Sequence, residues 1–207
     1  MRARHFAVTA VVSALLMGTA TAANATLISF NANLNQATEV NHLSPPSPAT
    51  GNAQLIFDTT AHTLTMNWTF QDIVGTTTDA HIHCCTTNPG IISGAVVATH
   101  PLDSIIAPGF LGTHAGTITV TFDTSQSSAW NPGFLNNATN LGNPLTAEAT
   151  LLAGASAGRA YFNIHSTLVP SGEIAGFLVP VPEPSTLPLF AFAVVGLMFA
   201  RRKPKAA

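Results

Sequence analysis

The chain has 207 residues, is 46% hydrophobic and only 8% charged, and carries a formal net charge of −2. Six of its seven Lys and Arg lie near the termini (Arg2, Arg4, Arg201, Arg202, Lys203, Lys205), leaving Arg159 alone in the middle against Glu39, Asp58, Asp72, Asp79, Asp103, Asp123, Glu148 and Glu173. One cation cannot neutralise a run of phosphates, which argues against a nucleic-acid partner; the acidic excess fits either simple solubility or attraction to cations, metal ions or basic partners.

The first element is a secretory signal peptide over 1–25. Arg2, Arg4 and His5 give a positive start, Phe6 to Met17 an apolar stretch, and Ala20/Ala22 and Ala23/Ala25 small-residue cleavage sites. Residues 26–180 then have the length of one compact domain. Within them apolar and polar residues alternate with period two, the pattern of half-buried strands. In 62–70 the face Leu64, Met66, Trp68, Phe70 opposes Thr63, Thr65, Asn67, Thr69; in 116–122 Ile118, Val120 and Phe122 oppose Thr117, Thr119 and Thr121. Further strands are expected over 26–34, 52–58, 79–84, 95–98, 159–166 and 173–179. Only 144–153 reads as a helix, with Pro144 at its start and Gly154 ending it. Loops at 40–50, 99–113 and 124–143 hold most of the Pro and Gly and are expected at the surface. Outward faces are rich in Thr, Ser and Asn, neutral groups that keep an exported β-protein soluble. The fold class expected is all-β, an antiparallel Greek-key-like β-sandwich, flanked by the signal peptide and a short C-terminal transmembrane helix.

The chemistry gathers at Asp79-Ala80-His81-Ile82-His83-Cys84-Cys85. Strand residues two apart point the same way, so His81, His83 and Asp79 share one side. In 159–166 the polar side holds Tyr161, Asn163 and His165. If the two strands are neighbours, His165 completes a three-imidazole set suited to copper, zinc or another transition metal, with an open fourth position; the alternative is a metal-free polar cluster. His42, His62, His100 and His114 read as loop or surface residues, though His100 and His114 could supply further ligands. Glu173 is placed either near a ligand, beside Asp79 and Asn163 in a supporting role, or in an ion pair with Arg159. Cys84 and Cys85 leave three readings open: a vicinal disulfide favoured by an oxidising location, two thiols with Cys85 on the His side as a soft ligand, or buried structural thiols. No Ser-His-Asp set or carboxylate pair suggests a hydrolase.

Ala80-His81-Ile82-His83, then Tyr161-Phe162-Asn163-Ile164-His165-Ser166, then Pro170-Ser171-Gly172-Glu173-Ile174-Ala175-Gly176 resemble, in order and spacing, the CHRD domain, after an early Phe30-Asn31-Ala32-Asn33-Leu34 segment with Glu39-Val40. Two departures stand out: Ala175 stands where the family usually has Arg, and Cys84-Cys85 where it usually has Gly. The resemblance spans nearly all of 25–180 and implies a β-sandwich of exported proteins.

The last element is 181–207. Val181-Pro182-Glu183-Pro184-Ser185-Thr186, an apolar run over 187–200 and the basic stretch 201–207 resemble a PEP-CTERM tail, whose sorting residues are Pro182, Glu183 and Pro184. As a helix the run is about 21 Å long at about 1.5 Å per residue, short against about 30 Å of hydrocarbon, and the basic end stays inside. The resemblance implies transient anchoring in the inner membrane, processing by an exosortase, and a final place at the cell surface or outside it. The function expected is therefore a non-catalytic surface or extracellular-matrix protein, with exopolysaccharide or other matrix components as partners and a copper or zinc site at His81, His83 and His165, or else no cofactor. The alternative is a copper-dependent redox enzyme resembling Cu/Zn superoxide dismutase.

Overall fold

The computed structural model describes residues 27–40, 43–102 and 106–182. They form nine strands and two α-helices: β1 (Leu27–Asn35), β2 (Thr50–Asp58), β3 (Thr63–Gln71), β4 (Thr77–Cys84), β5 (Val96–Val97), β6 (Gly116–Asp123), α1 (Pro132–Leu135), α2 (Pro144–Ser156), β7 (Ala160–Ser166), β8 (Ile174–Phe177) and β9 (Val179–Pro180). Every strand pairing is antiparallel, in the order β5-β4-β7-β8-β1-β2-β3-β6, with β9 alongside β1. The chain makes a β1-β2-β3 meander, crosses to lay down β4 and β5 in the other half, returns for β6 and crosses again for β7. This is the all-β, antiparallel, Greek-key-like order expected, carried by one curled sheet.

The curl follows from alternation. Register aligns Phe30, Leu55, Met66 and Val120 in one inward row and Ala32, Ala53, Trp68 and Ile118 in the next. From the other half, Ala80, Ile82, Phe162 and Ile164 face the same interior, all fully buried. Trp68 on β3 and Phe162 on β7 lie far apart in strand order, yet their ring centroids are 5.6 Å apart. The sheet therefore folds over on itself, and its two halves face each other like the layers of a sandwich around one core. Phe110 joins from a loop, edge-on to Trp68 and Phe70.

Tight local geometry joins the strands. Between β2 and β3, Asp58 Oδ1 accepts from the amides of Thr60 and Ala61, the side-chain bond that makes Asp a turn former. Three expectations need correction. The helix at Pro144 does not stop at Gly154: α2 continues to Ser156, and Gly158, at φ +67°, makes the turn. Residues 132–135 form a second helix, capped by Asn131 as α2 is capped by Asn143; both start with Asn-Pro, a cap followed by a residue pre-set for the first turn. The strand expected over 173–179 divides at Leu178, whose amide turns to Ala160. Loops also do more than cover the surface: Leu102, Ala107, Phe110, Ala129, Trp130 and Phe134 are buried and fill the open side of the curl.

The signal peptide, His42, Asp103 and the apolar run 187–200 lie outside the described residues, as do Glu183 and Pro184; Pro182 is the last residue described. Among the described residues no helix is long and apolar enough to cross a membrane.

Candidate metal centre

β4 and β7 are neighbours, and their register sets Asp79 opposite His165, His81 opposite Asn163 and His83 opposite Tyr161. Period two then turns all six side chains to the side away from the core. His81 Nε2 lies 2.9 Å from His83 Nε2 and 3.1 Å from His165 Nε2, and one ring nitrogen from each residue falls within 4.8 Å of the others. His81 is buried, and His83 and His165 are half-buried.

The surroundings fix how the rings present themselves. His165 Nδ1 is 2.8 Å from the Pro170 carbonyl oxygen, which can only accept, so Nδ1 carries the proton and Nε2 shows its lone pair. His81 Nδ1 is 3.4 Å from Asp79 Oδ2, close enough for the carboxylate to favour a proton there although the N–H is not aligned as a hydrogen bond. His83 stacks on Tyr161, ring centroids 4.7 Å apart and planes within 4°. A proton on His83 Nε2 can satisfy the contact to His81, but His81 and His165 are then left lone pair to lone pair at 3.1 Å. A cation between the three nitrogens removes that repulsion. Ligands at about 2.0–2.1 Å in tetrahedral array would sit about 3.3 Å apart, a few tenths beyond the two separations from His81 Nε2.

Burial and mutual repulsion favour the neutral form of His83 and His165, the form that ligates a metal. Burial, followed by the neighbouring His81 and His165, lowers the pKa of His83 to about 3 against a smaller opposing pull from Asp79. His165 is lowered too, chiefly by burial and then by His81. Tyr161 is pushed up to about 12, by burial first and Glu39 second, so it stays a neutral phenol beside the site.

Other candidates go elsewhere. Glu173 is fully buried, but its carboxylate accepts from Ser47 Oγ, Ser166 Oγ and the amides of Val74 and Gly75. None of these donors is a histidine, and the ion pair with Arg159 is not formed: Arg159 Nε donates to the Thr86 carbonyl. Burial raises the Glu173 pKa, yet its four hydrogen bonds together outweigh burial and hold it below the usual value. Cys84 and Cys85 form a disulfide, which removes Cys85 as a thiolate ligand; both sulfurs lie against α2, near the Thr150 carbonyl and Gly154. His100 and His114 bond the carbonyls of Pro101 and Ile73, and His62 pairs with Glu148 at 3.2 Å, so among the described residues the group stays at three. Sequence reasoning put Tyr161 on the polar side of its strand but gave it no role, because the stacking on His83 depends on the register. It missed the Pro170 carbonyl, whose approach depends on a loop.

The three segments that build this centre lie within the span of a family-model match. The CHRD domain model aligns with residues 30–178. The chain belongs to the CHRD domain family. In this CHRD domain Ala80-His81-Ile82-His83 lies on β4, Tyr161 to Ser166 on β7, and Pro170 to Gly176 runs through the turn that touches His165 into β8. Ala175, where the resemblance implies an Arg, is opposite Asn163 and fully buried. The PEP-CTERM protein-sorting motif matches residues 180–203, which marks an exported protein handed to an exosortase at the membrane. Neither a curated protein nor a solved structure matches the chain.

Proposed function

We propose that this protein is a non-catalytic surface or matrix module that binds one transition-metal ion, copper or zinc, through His81, His83 and His165. The observation that carries the reading is the convergence of three Nε2 atoms, one of them turned to ligation by the Pro170 carbonyl. Neutral imidazoles suit both metals, and Asp79 is placed to support His81 as carboxylates support ligating histidines elsewhere. In this reading the signal peptide 1–25 is removed on export, and the exosortase cuts near Pro182-Glu183-Pro184 to release the domain.

Elemental analysis of the exported protein, purified without a His tag, tests the site. About one Cu or Zn per chain is expected, lost in His81→Ala/His83→Ala and retained in His62→Ala. Metal at about 100 times its dissociation constant would add about 2.7 kcal/mol of stability, visible as a raised melting temperature. Absence of both bound metal and a thermal shift on titration sinks the proposal. Superoxide turnover above that of free copper would replace the non-catalytic reading with a redox enzyme. Intact mass of the released protein checks both cleavages.

A further inference from the structure

The outward face of β1-β2-β3-β6 lies on the meander half, away from the histidines. Register aligns Asn33, Asn52, Thr69 and Thr117 in one row across four strands and Asn31, Gln54, Asn67 and Thr119 in the next. A third row holds Ser29, Ile56, Thr65 and Thr121. Strands about 4.8 Å apart and rows about 6.7 Å apart give a patch of roughly 14 by 13 Å. It carries no formal charge. A solvent-facing sheet is ordinarily studded with Lys and Glu, which keep molecules apart and discourage pairing at sheet edges; this one forgoes them across three rows.

The side chains are ordered. Asn52 Nδ2 donates to Asn33 Oδ1 at 3.1 Å, Thr119 Oγ1 donates to Asn67 Oδ1 at 2.8 Å, and the Thr65 and Thr121 hydroxyls meet at 2.9 Å. Each amide or hydroxyl so held has further donor and acceptor capacity. Two shallow depressions lie on the face, about 310 Å³ around Asn31, Asn52, Gln54 and Asn67 and about 270 Å³ beside it around Asn52, Thr69 and Gln71.

We propose that this face docks a neutral, hydroxyl-rich polysaccharide. Sugar hydroxyls both donate and accept, as amides and threonines do, and three rows without charge offer a polyanion or polycation nothing to pair with; the carboxylates Asp58 and Asp123 lie in the row beyond, at the end of the face, and disfavour a polyanion further. Ordered side chains lower the entropy lost on binding. The proposal does not depend on the metal site, which lies on other strands.

The test is co-sedimentation of the full-length protein, in mild detergent, with amorphous cellulose, cross-linked dextran or calcium alginate beads. Binding to at least one neutral polymer is expected, unchanged by EDTA and by raising salt from about 0.05 to about 0.5 M, a range that screens ionic contacts. Asn52→Asp/Asn67→Asp should weaken it about tenfold or more, as should Thr117→Lys/Thr119→Lys on the edge strand, with melting temperatures unchanged. Thr87→Asp, exposed outside the face, should bind as wild type. The proposal is overturned by no binding to either neutral polymer, by equal binding of all variants, by alginate binding that salt abolishes, or by a concentration-dependent dimer that buries the face.

Discussion

Gly154 sits in the interior of α2, where alanine would ordinarily be better by about 1 kcal/mol. A Cβ there would run into both sulfurs of the Cys84–Cys85 disulfide. Packing should win, so Gly154→Ala is expected to destabilise by about 1–3 kcal/mol. In a Cys84→Ala/Cys85→Ala background the sign should reverse, and a double-mutant cycle by urea unfolding reads the coupling directly. Glu173 supports a second residue-scale prediction. Its folded pKa lies below the ordinary 4.5, so the stability it contributes is complete above that value and lost as pH falls through the folded pKa. His83 and His165 add an earlier loss: both are lowered, His83 from 6.5 to about 3, so the unfolded chain takes up protons the folded one refuses as pH drops below 6.5. Urea midpoints of metal-free protein should therefore decline from pH 7 toward pH 5 and more steeply below; a flat profile would contradict both assignments. Glu173→Gln should remove the added steepness at low pH and leave the decline that His83 imposes down to about pH 3.

At the scale of elements, α2 closes one end of the curl. Ala147, Leu151 and Ala155 are buried, Glu148 accepts from the Thr124 hydroxyl and pairs with His62 in the β2–β3 turn, and Gly154 seats the end of β4. Asn143 Oδ1 accepts from the amides of Leu145 and Thr146, so Asn143→Ala should cost about 1 kcal/mol, measured as a lowered melting temperature with the sheet's circular dichroism retained. Strands were legible because alternation is local: Leu64, Met66, Trp68 and Phe70 are all buried, as their spacing requires. The His81 and His83 pair was legible for the same reason, and His165 became so once β4 and β7 were taken as neighbours. What escaped depends on contacts remote in sequence. The extent of α2 is hidden because a glycine that looks like a stop is a seat for sulfur, and the partners of Glu173 come from Ser47, Val74, Gly75 and Ser166.

Across the whole molecule the two halves of the sheet carry different chemistry on their outward side. Imidazoles and a stacked phenol lie outside β4 and β7, while uncharged amides and hydroxyls lie outside β1, β2, β3 and β6. One inward layer serves both. Phe162→Ala should cost about 3–5 kcal/mol and, by loosening the half that carries the histidines, weaken metal binding as well; calorimetry with zinc would show both. The contact between Trp68 and Phe162 has a kinetic consequence. It joins residues remote in sequence, and such non-local contacts make folding slow. Trp68 and Trp130 are the chain's two tryptophans and both are buried, so indole emission reports the interior and, in Trp130→Phe, the seam alone. In refolding, the backbone signal of the β1-β2-β3 meander is expected to precede that emission change: the protein carries its own optical clock for the moment the sheet closes.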